Sequence, residues 1–289
     1  MLTLDQLKHC LHEAESAARE AGDWAKAQRD RKVHLNEQFK HADKSLASSI
    51  VTDIDLACEA KILSHLEDTA KAFGIAILSE ESQADTKDRL NSEYFWAIDP
   101  LDGTLPFTEG RDGYSVSIGL VNKQGEAVLG TVYDPEGGIL YKAMKDHGAQ
   151  KNQETLIPKP IPNHPSPRFI MDRSDAQNPN YLKLIDQIQL LMGIDVSRDR
   201  YIQPGGAAMN AMRVIELAPA FYLKPMKPKF GGGSIWDFAA SSCILREAGA
   251  IVTNIFGDPL HLNQPHSNFM NDQGIVMLSH PTLEPFLPW

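Results

Sequence analysis

Residues 94–98 read Tyr-Phe-Trp-Ala-Ile, and the chain passes at once into Asp99-Pro100-Leu101-Asp102-Gly103-Thr104. A compact apolar run bounded by turn-forming residues predicts a buried strand. In α/β folds the ends of strands are where sites are built. Pro100 fixes one backbone angle and donates no hydrogen bond, and the three-residue spacing can bring both carboxylates to one side of the turn. Two ionised carboxylates held together repel, so one of them takes up a proton or a hard cation such as Mg²⁺ neutralises the pair through oxygen ligands. A helix starting at Gly103-Thr104 would offer free N–H groups to an anion beside that cation. A structural alternative stands next to this one: a β-turn at Asp102-Gly103, with Asp99 as a strand-end cap.

Two further acidic clusters occupy comparable places. Glu80-Glu81 follows the apolar run 75–78, and Asp237 follows Ile235-Trp236 where a helix is expected to begin. Each alone fits a solvated edge or an N-cap. Three such clusters in one chain, one of them carrying the Asp-Pro-Leu-Asp-Gly-Thr string, are harder to read as three unrelated caps.

Around them helix and strand signals alternate. Leu4, Leu7, Leu11, Ala14 and Ala18 predict an amphipathic helix over residues 4 to about 28, and residues 31–50, which lack either period, predict a loop or irregular hairpin. A second helix, capped by Asp53 or Asp55, buries Leu56, Ala60, Leu63, Leu66 and Ala70 and ends at Gly74. Residues 115–121, 128–133 and 139–143 predict strands of an antiparallel meander. The proline-rich stretch 158–167 is the expected connection between an N-terminal subdomain (1–157) and a C-terminal one (168–289). Beyond it the pattern predicts strands at 168–172, 219–223, 250–255 and 274–278, and helices at 179–192, 206–217 and 237–248.

Composition narrows the class of partner. The net charge is -10, from 28 Lys plus Arg against 38 Asp plus Glu, and no basic block occurs, which argues against a nucleic-acid polymer or an anionic membrane as the main partner. Three dispersed cysteines, Cys10, Cys58 and Cys243, offer no disulfide framework and fit small core positions in a reducing cytoplasm. Neither a signal peptide nor a membrane span is expected.

Taken together, Leu78-Ser79-Glu80-Glu81, Trp96-Ala97-Ile98-Asp99-Pro100-Leu101-Asp102-Gly103-Thr104 and Ile235-Trp236-Asp237-Phe238-Ala239-Ala240 resemble the patterns of the inositol monophosphatase superfamily, in its order. Val51-Thr52-Asp53-Ile54-Asp55, with Lys44-Ser45 before it, resembles an upstream element of the same family. The resemblance implies an α/β layered sandwich of alternating helices and sheets, commonly a homodimer, and a Mg²⁺-dependent, lithium-sensitive phosphatase of a small phosphorylated metabolite, using two to three ions. Carried over by position, Glu80, Asp99 and the Leu101 carbonyl would hold one Mg²⁺, and Asp99, Asp102 and Asp237 a second. A weaker third would lie near Glu80 and Glu81. Asp55 would polarise Thr104 to orient the attacking water, with Glu81 as a further catalytic group and Asp53 a surface cap. Gly103 and Thr104 would meet the phosphate, and Gly205, Gly206 and Ala207 would line the alcohol side of the pocket.

The stretch Lys229-Phe230-Gly231-Gly232-Gly233-Ser234-Ile235-Trp236-Asp237 resembles the bacterial 3′(2′),5′-bisphosphate nucleotidases more than the inositol monophosphatases, and Lys229 would then hold a second phosphate. Leu105-Pro106-Phe107-Thr108 departs from that branch beside the site. Inositol-1-monophosphatase and fructose-1,6-bisphosphatase activities remain alternatives. The lysines Lys224, Lys227 and Lys229 otherwise read as solvated loop charge. A haloacid-dehalogenase phosphatase is disfavoured because its two aspartates stand two residues apart, not three. A non-catalytic binder of metal or phosphometabolite finds no support in a missing group.

Overall fold

The computed structural model describes residues 1–38, 44–82, 86–162, 166–173, 175, 178–194, 201–202, 205–227 and 233–288. Two long helices, α1 (Leu4–Gln38) and α2 (Lys44–Phe73), pack against each other and over one face of a seven-stranded sheet. That sheet runs in chain order: β1 (Ala76–Ser79), β2 (Tyr94–Asp102), β3 (Ser115–Asn122), β4 (Ala127–Asp134), β5 (Ile139–Met144), β6 (Ala149–Lys151) and β7 (Glu154–Thr155). Only β1 and β2 are parallel, joined by the short helix α3 (Thr86–Asn91). The helix α4 (Thr104–Thr108) follows β2 directly.

On the far face of this sheet lie α6 (Ala207–Glu216) and α7 (Ile235–Glu247). Beneath them is a five-stranded sheet in the order β11 (Ile251–Thr253), β12 (Ile275–Leu278), β10 (Ala220–Lys224), β8 (Arg168–Ile170), β9 (Tyr201–Ile202). Its outer face packs against α5 (Pro179–Met192) through Phe169, Tyr181, Ile185, Ile188 and Phe221. The layers therefore run helix, sheet, helix, sheet, helix, which is the alternating sandwich expected. The middle apolar cluster joins both halves, with Phe95 and Ala97 of β2, Met209 and Met212 of α6, Tyr222 of β10 and Phe238 of α7 in one body.

A pair of glycines sets the height of α7 above the first sheet. Gly119 on β3 faces Gly130 on β4. A Cβ on Gly119 would lie 2.7 Å from the Ala240 nitrogen, and one on Gly130 would lie 2.3 Å from the Ala240 oxygen. Glycine weakens a strand interior unless another backbone must approach closely, as α7 does here through Ala239-Ala240. This contact carries the first turn of α7 down to the sheet.

The helical N-terminus departs from expectation. The segment 31–50, expected as a loop, is helix up to Gln38 and again from Lys44; residues 39–43 lie outside the described residues. α1 runs through Gly22, where the lack of a side chain admits the Tyr133 ring; a Cβ there would lie 2.6 Å from it. Asp53 and Asp55 are correspondingly helix-interior residues of α2, not its caps. Cys10, Cys58 and Cys243 are buried, unpaired helix residues. Among the described residues no helix is long and apolar enough to cross a membrane.

Candidate active site

The acidic string lies inside the end of β2 rather than after it. Asp99 pairs with Ser117 and Asp102 with Ser115, so β2 carries one residue more than β3 between those pairs. In a regular strand residues three apart point to opposite faces; the bulge adds the step that turns Asp102 to the face of Asp99. Pro100, which cannot donate to the ladder, is tolerated in such a bulge. The Leu101 N–H donates to Asp99 Oδ1 at 3.1 Å, fixing that carboxylate. Gly103 then turns with φ +87°, and its α-hydrogen side faces the Gly113 oxygen, 2.8 Å from where a Cβ would sit. Gly103 is the N-cap of α4. That helix is only five residues long, so the anion-attracting dipole expected at Gly103-Thr104 is small.

Parallel pairing of β1 with β2 brings in the second cluster. Ser79 is level with Ile98, and the Glu80 N–H donates to the Ile98 oxygen at 3.1 Å, which sets Glu80 beside Asp99. Glu80 is open to solvent at the rim, and its carboxyl shares a hydrogen bond with Asp99. The third cluster arrives on α7, where Asp237 is the third residue and accepts from the Ser234 N–H at 2.7 Å in a capping box. The Ser117 hydroxyl donates to the Trp236 oxygen at 3.3 Å, tying this turn to the residue opposite Asp99. Asp99, Asp102 and Asp237 thereby place one carboxylate oxygen each within 4.8 Å of one another.

Asp102 is held by the segment expected to line the alcohol side of the pocket. The N–H groups of Ala207 and Ala208 donate to its two oxygens at 2.9 and 2.8 Å, and the Ser115 hydroxyl to one of them at 3.3 Å. A Cβ on Gly206 would come within 2.4 Å of Asp102 Oδ1, so glycine is what lets α6 start there. Oδ1, which accepts from Ala207, keeps a second lone pair for a cation, while Oδ2 takes both the Ala208 N–H and the Ser115 hydroxyl. Gly205 donates to Asn210 Oδ1 at 3.0 Å and faces the cavity beside α4.

The electrostatics are those of carboxylates crowded together out of water. Burial, then Asp237, pushes the Asp102 carboxyl up to about 7 against the opposing Ala207 and Ala208 N–H groups. Desolvation and then Asp237 push Glu80 up to about 7. Asp99 lies well above the usual carboxylate range through burial, then Glu80 and Asp102, and Asp237 is raised by burial. A set of hard carboxylate oxygens that resist ionisation until positive charge arrives fits a divalent cation such as Mg²⁺.

The remaining expected residues fall into three groups. Asp55, buried on α2, is pushed up to about 7 by burial and by Glu81, and its Oδ1 has no hydrogen-bond partner. α2 packs against α4, yet no hydrogen bond joins Asp55 to the exposed Thr104 among the described residues. Glu81 is half-buried and raised by desolvation and by Glu59, whose carboxylate accepts from the Ser82 N–H at 3.0 Å. Lys229, Gly231 and Gly232 lie outside the described residues, as do the side chains of Lys44, Ser45, Val51 and Thr52.

Two buried cations were not legible. Lys224, expected as solvated loop charge, is 5% exposed on β10 and ion-paired with Asp172, which also accepts from Tyr222 at 2.9 Å and Asn210 at 3.0 Å. Lys227 is half-buried, 3.5 Å from Asp175. Arg89 on α3, 1% exposed, donates to Asn263, to the Gln264 oxygen at 2.6 Å and to Asn268 at 3.1 Å. The Asn268 oxygen accepts from the Ile235 N–H at 2.8 Å, so Arg89 pins the segment that seats the start of α7. A lone arginine in a polar stretch gives no sign of this in sequence.

Known proteins share both the sequence pattern and the architecture. The profile of the inositol monophosphatase family matches residues 6–284. An inositol-1-monophosphatase of Bacillus subtilis (strain 168) is 29% identical over 238 residues, covering 81% of this chain and 83% of its own. A 3′(2′),5′-bisphosphate nucleotidase CysQ of Shigella flexneri is 29% identical over 228 residues, covering 78% and 83%. The crystal structure of inositol monophosphatase-II from Staphylococcus aureus MSSA476 shares the fold, with a TM-score of 0.71 at 23% identity over 95% of this chain and 90% of that one.

Proposed function

The chain belongs to the inositol monophosphatase family and is a metal-dependent phosphoric monoester hydrolase, and from that premise we propose its ions, its working residues and its substrate. The observation that carries the metal assignment is the Asp99, Asp102, Asp237 cluster, whose three carboxylates each place one oxygen within 4.8 Å of the others. Glu80, Asp99 and the Leu101 carbonyl would hold one Mg²⁺, Asp99, Asp102 and Asp237 would hold a second, and Glu80 with Glu81 would hold a weaker third. Bound there, the ions supply a water of lowered pKa and neutralise charge on the leaving ester oxygen.

The chain's own groups do the rest. Gly103 and Thr104 receive the phosphate at the start of α4, where the first N–H groups have no helical acceptor. The Thr104 hydroxyl orients the attacking water. Asp55, with a buried and unpartnered oxygen behind α4, accepts a hydrogen bond from the Thr104 hydroxyl when the substrate closes the gap; Glu81 takes the proton shed by the water, and solvent water protonates the leaving alkoxide. The Ala207 and Ala208 N–H groups keep Asp102 aimed at the cluster.

For the substrate we favour a small bisphosphorylated metabolite of the 3′(2′),5′-bisphosphate nucleotide type over inositol 1-phosphate or fructose 1,6-bisphosphate. The support is the sequence of the stretch Lys229 to Asp237. The test is phosphate release from 3′-phosphoadenosine 5′-phosphate, inositol 1-phosphate and fructose 1,6-bisphosphate, each with Mg²⁺ and with excess chelator. Highest kcat/KM on the nucleotide, lost in chelator and inhibited by lithium, is the expected result. A higher kcat/KM on inositol 1-phosphate would overturn the substrate assignment and leave the hydrolase standing.

A further inference from the structure

Beside the acidic cluster, and outside it, two arginines converge on one carboxylate. Arg111 Nε donates to Glu109 Oε2 at 2.8 Å, and Arg173 Nη1 to Glu109 Oε1 at 3.3 Å. They come from separate elements, Arg111 from the loop after α4 and Arg173 from the segment after β8. The three groups rim a cavity of about 240 Å³ whose floor is Leu105, Pro106, Met171 and Gly205. Leu105 follows Thr104 directly, and Gly205 precedes Gly206, whose helix holds Asp102. Two lining residues of the cavity are thus chain neighbours of residues in the proposed site, Leu105 of Thr104 on the phosphate side and Gly205 of Gly206 on the alcohol side.

Fold stability does not account for this grouping. The side chains of Arg111 and Arg173 are 50% and 67% exposed, and exposed ion pairs contribute only about 0–1 kcal/mol. Two guanidinium groups against one carboxylate also leave a positive charge over, in a chain of net charge -10 and next to a cluster that repels anions. Guanidinium forks match phosphate oxygens two by two, and a phosphate dianion competes for both forks better than a single exposed carboxylate does. The volume is below the roughly 300–1,000 Å³ of a site that encloses a whole ligand, which suits one end of a substrate whose other end lies on the carboxylate cluster.

We propose that this cavity is the subsite for a second anionic group of the substrate, a phosphate remote from the one being hydrolysed, bound by Arg111 and Arg173 as Glu109 gives way. The proposal rests on the phosphatase reading of the neighbouring site and names residues for substrate selection, a role so far given only to Lys229. It makes Glu109 a stand-in anion: present without substrate, and a competitor when substrate arrives. It also makes selection between bisphosphorylated and monophosphorylated substrates a property of KM.

The test has two arms. In Mg²⁺, Arg111→Gln and Arg173→Gln each raise KM for 3′-phosphoadenosine 5′-phosphate at least tenfold, with kcat within threefold, and leave KM for inositol 1-phosphate within twofold; Glu109→Gln lowers KM for the bisphosphate. In excess chelator, where no turnover occurs, equilibrium binding of 3′-phosphoadenosine 5′-phosphate to the wild-type chain weakens at least tenfold in either arginine variant. Equal loss on both substrates, or unchanged bisphosphate binding in the chelator arm, overturns the subsite. Absence of phosphate release from every substrate in wild type would instead count against the phosphatase reading, and the chelator arm would still decide the subsite.

Discussion

Asp99→Asn should make the metal-free protein more stable while abolishing its activity. Asparagine keeps an oxygen for the Leu101 N–H, now at 3.1 Å, and puts an amide toward the Glu80 carboxyl, so shape and hydrogen bonding survive. What it removes is charge. Ionised oxygens no more than 4.8 Å apart repel by about 3.5 kcal/mol or more per pair at an effective dielectric of about 20, and Asp99 forms such pairs with Asp102 and Asp237. Wild type escapes part of that cost by binding protons, so the net gain should be about 2–4 kcal/mol at pH 8, or about 3–7 °C in Tm for a chain this long. The sign with pH follows from Asp102 and Glu80, both pushed up to about 7. A raised carboxyl holds its proton more tightly folded than unfolded, so its penalty is full above pH 7 and fades as pH falls toward 4. The advantage of Asp99→Asn should be largest at pH 8, shrink below pH 6, and reverse in saturating Mg²⁺, where only wild type gains from the cation. Thermal melts in chelator and in Mg²⁺ at pH 5.5, 6.5 and 8 measure this. A lower melting temperature for the variant in chelator at pH 8, or a gain independent of pH, would refute the cluster as a site of uncompensated charge.

Thr104→Ala should lower kcat about 100-fold while Mg²⁺ affinity by calorimetry stays within threefold, since the hydroxyl is assigned to water and not to metal; equal losses would make Thr104 structural. Gly206→Ala puts a Cβ 2.4 Å from Asp102 Oδ1 and should weaken Mg²⁺ binding at least tenfold; unchanged calorimetric affinity would show that α6 does not set that carboxylate. Arg89→Met strands the Asn263, Gln264 and Asn268 acceptors and should cost about 3 kcal/mol with or without Mg²⁺, with faster amide exchange in residues 263–270. Exchange rates equal to wild type would separate that segment from Arg89.

The parts of the fold legible in sequence were those with a strong local period or cap. β3, β4 and β5 alternate or run apolar between turns, and α5 spans Pro179–Met192 as predicted because Asn178 caps it and Gly193 ends it. The misreadings came where tertiary contacts outweigh local preference. Residues 44–52 carry no helical stripe although α2 runs through them. α3, β6 and β7 are too short to show a period. At the site, the pairing of Asp99 with Asp102 was legible as a string but attributed to a turn; a one-residue bulge achieves it. The cradle for Asp102 could not be read, because it consists of backbone N–H groups over 100 residues away in sequence.

These contacts explain why the site needs both halves of the chain. Glu80, Asp99 and Asp102 come from neighbouring strands of the first sheet, and their mutual repulsion would push the strand ends apart if nothing closed over them. Two helix starts close over them from the other side. The first turn of α6 places two N–H groups on Asp102, and the first turn of α7 brings Asp237, itself neutralised in part by the Ser234 N–H and by Lys224 on β10. Helix N-termini carry partial positive charge, so each offsets some carboxylate repulsion before any cation binds. The Gly119–Gly130 pair lets α7 come low enough for this, and Arg89 holds the segment leading to it. Stability without metal and geometry for metal thus rest on the same contacts, and a substitution that raises α7 from the sheet, such as Gly130→Ala, should degrade both together.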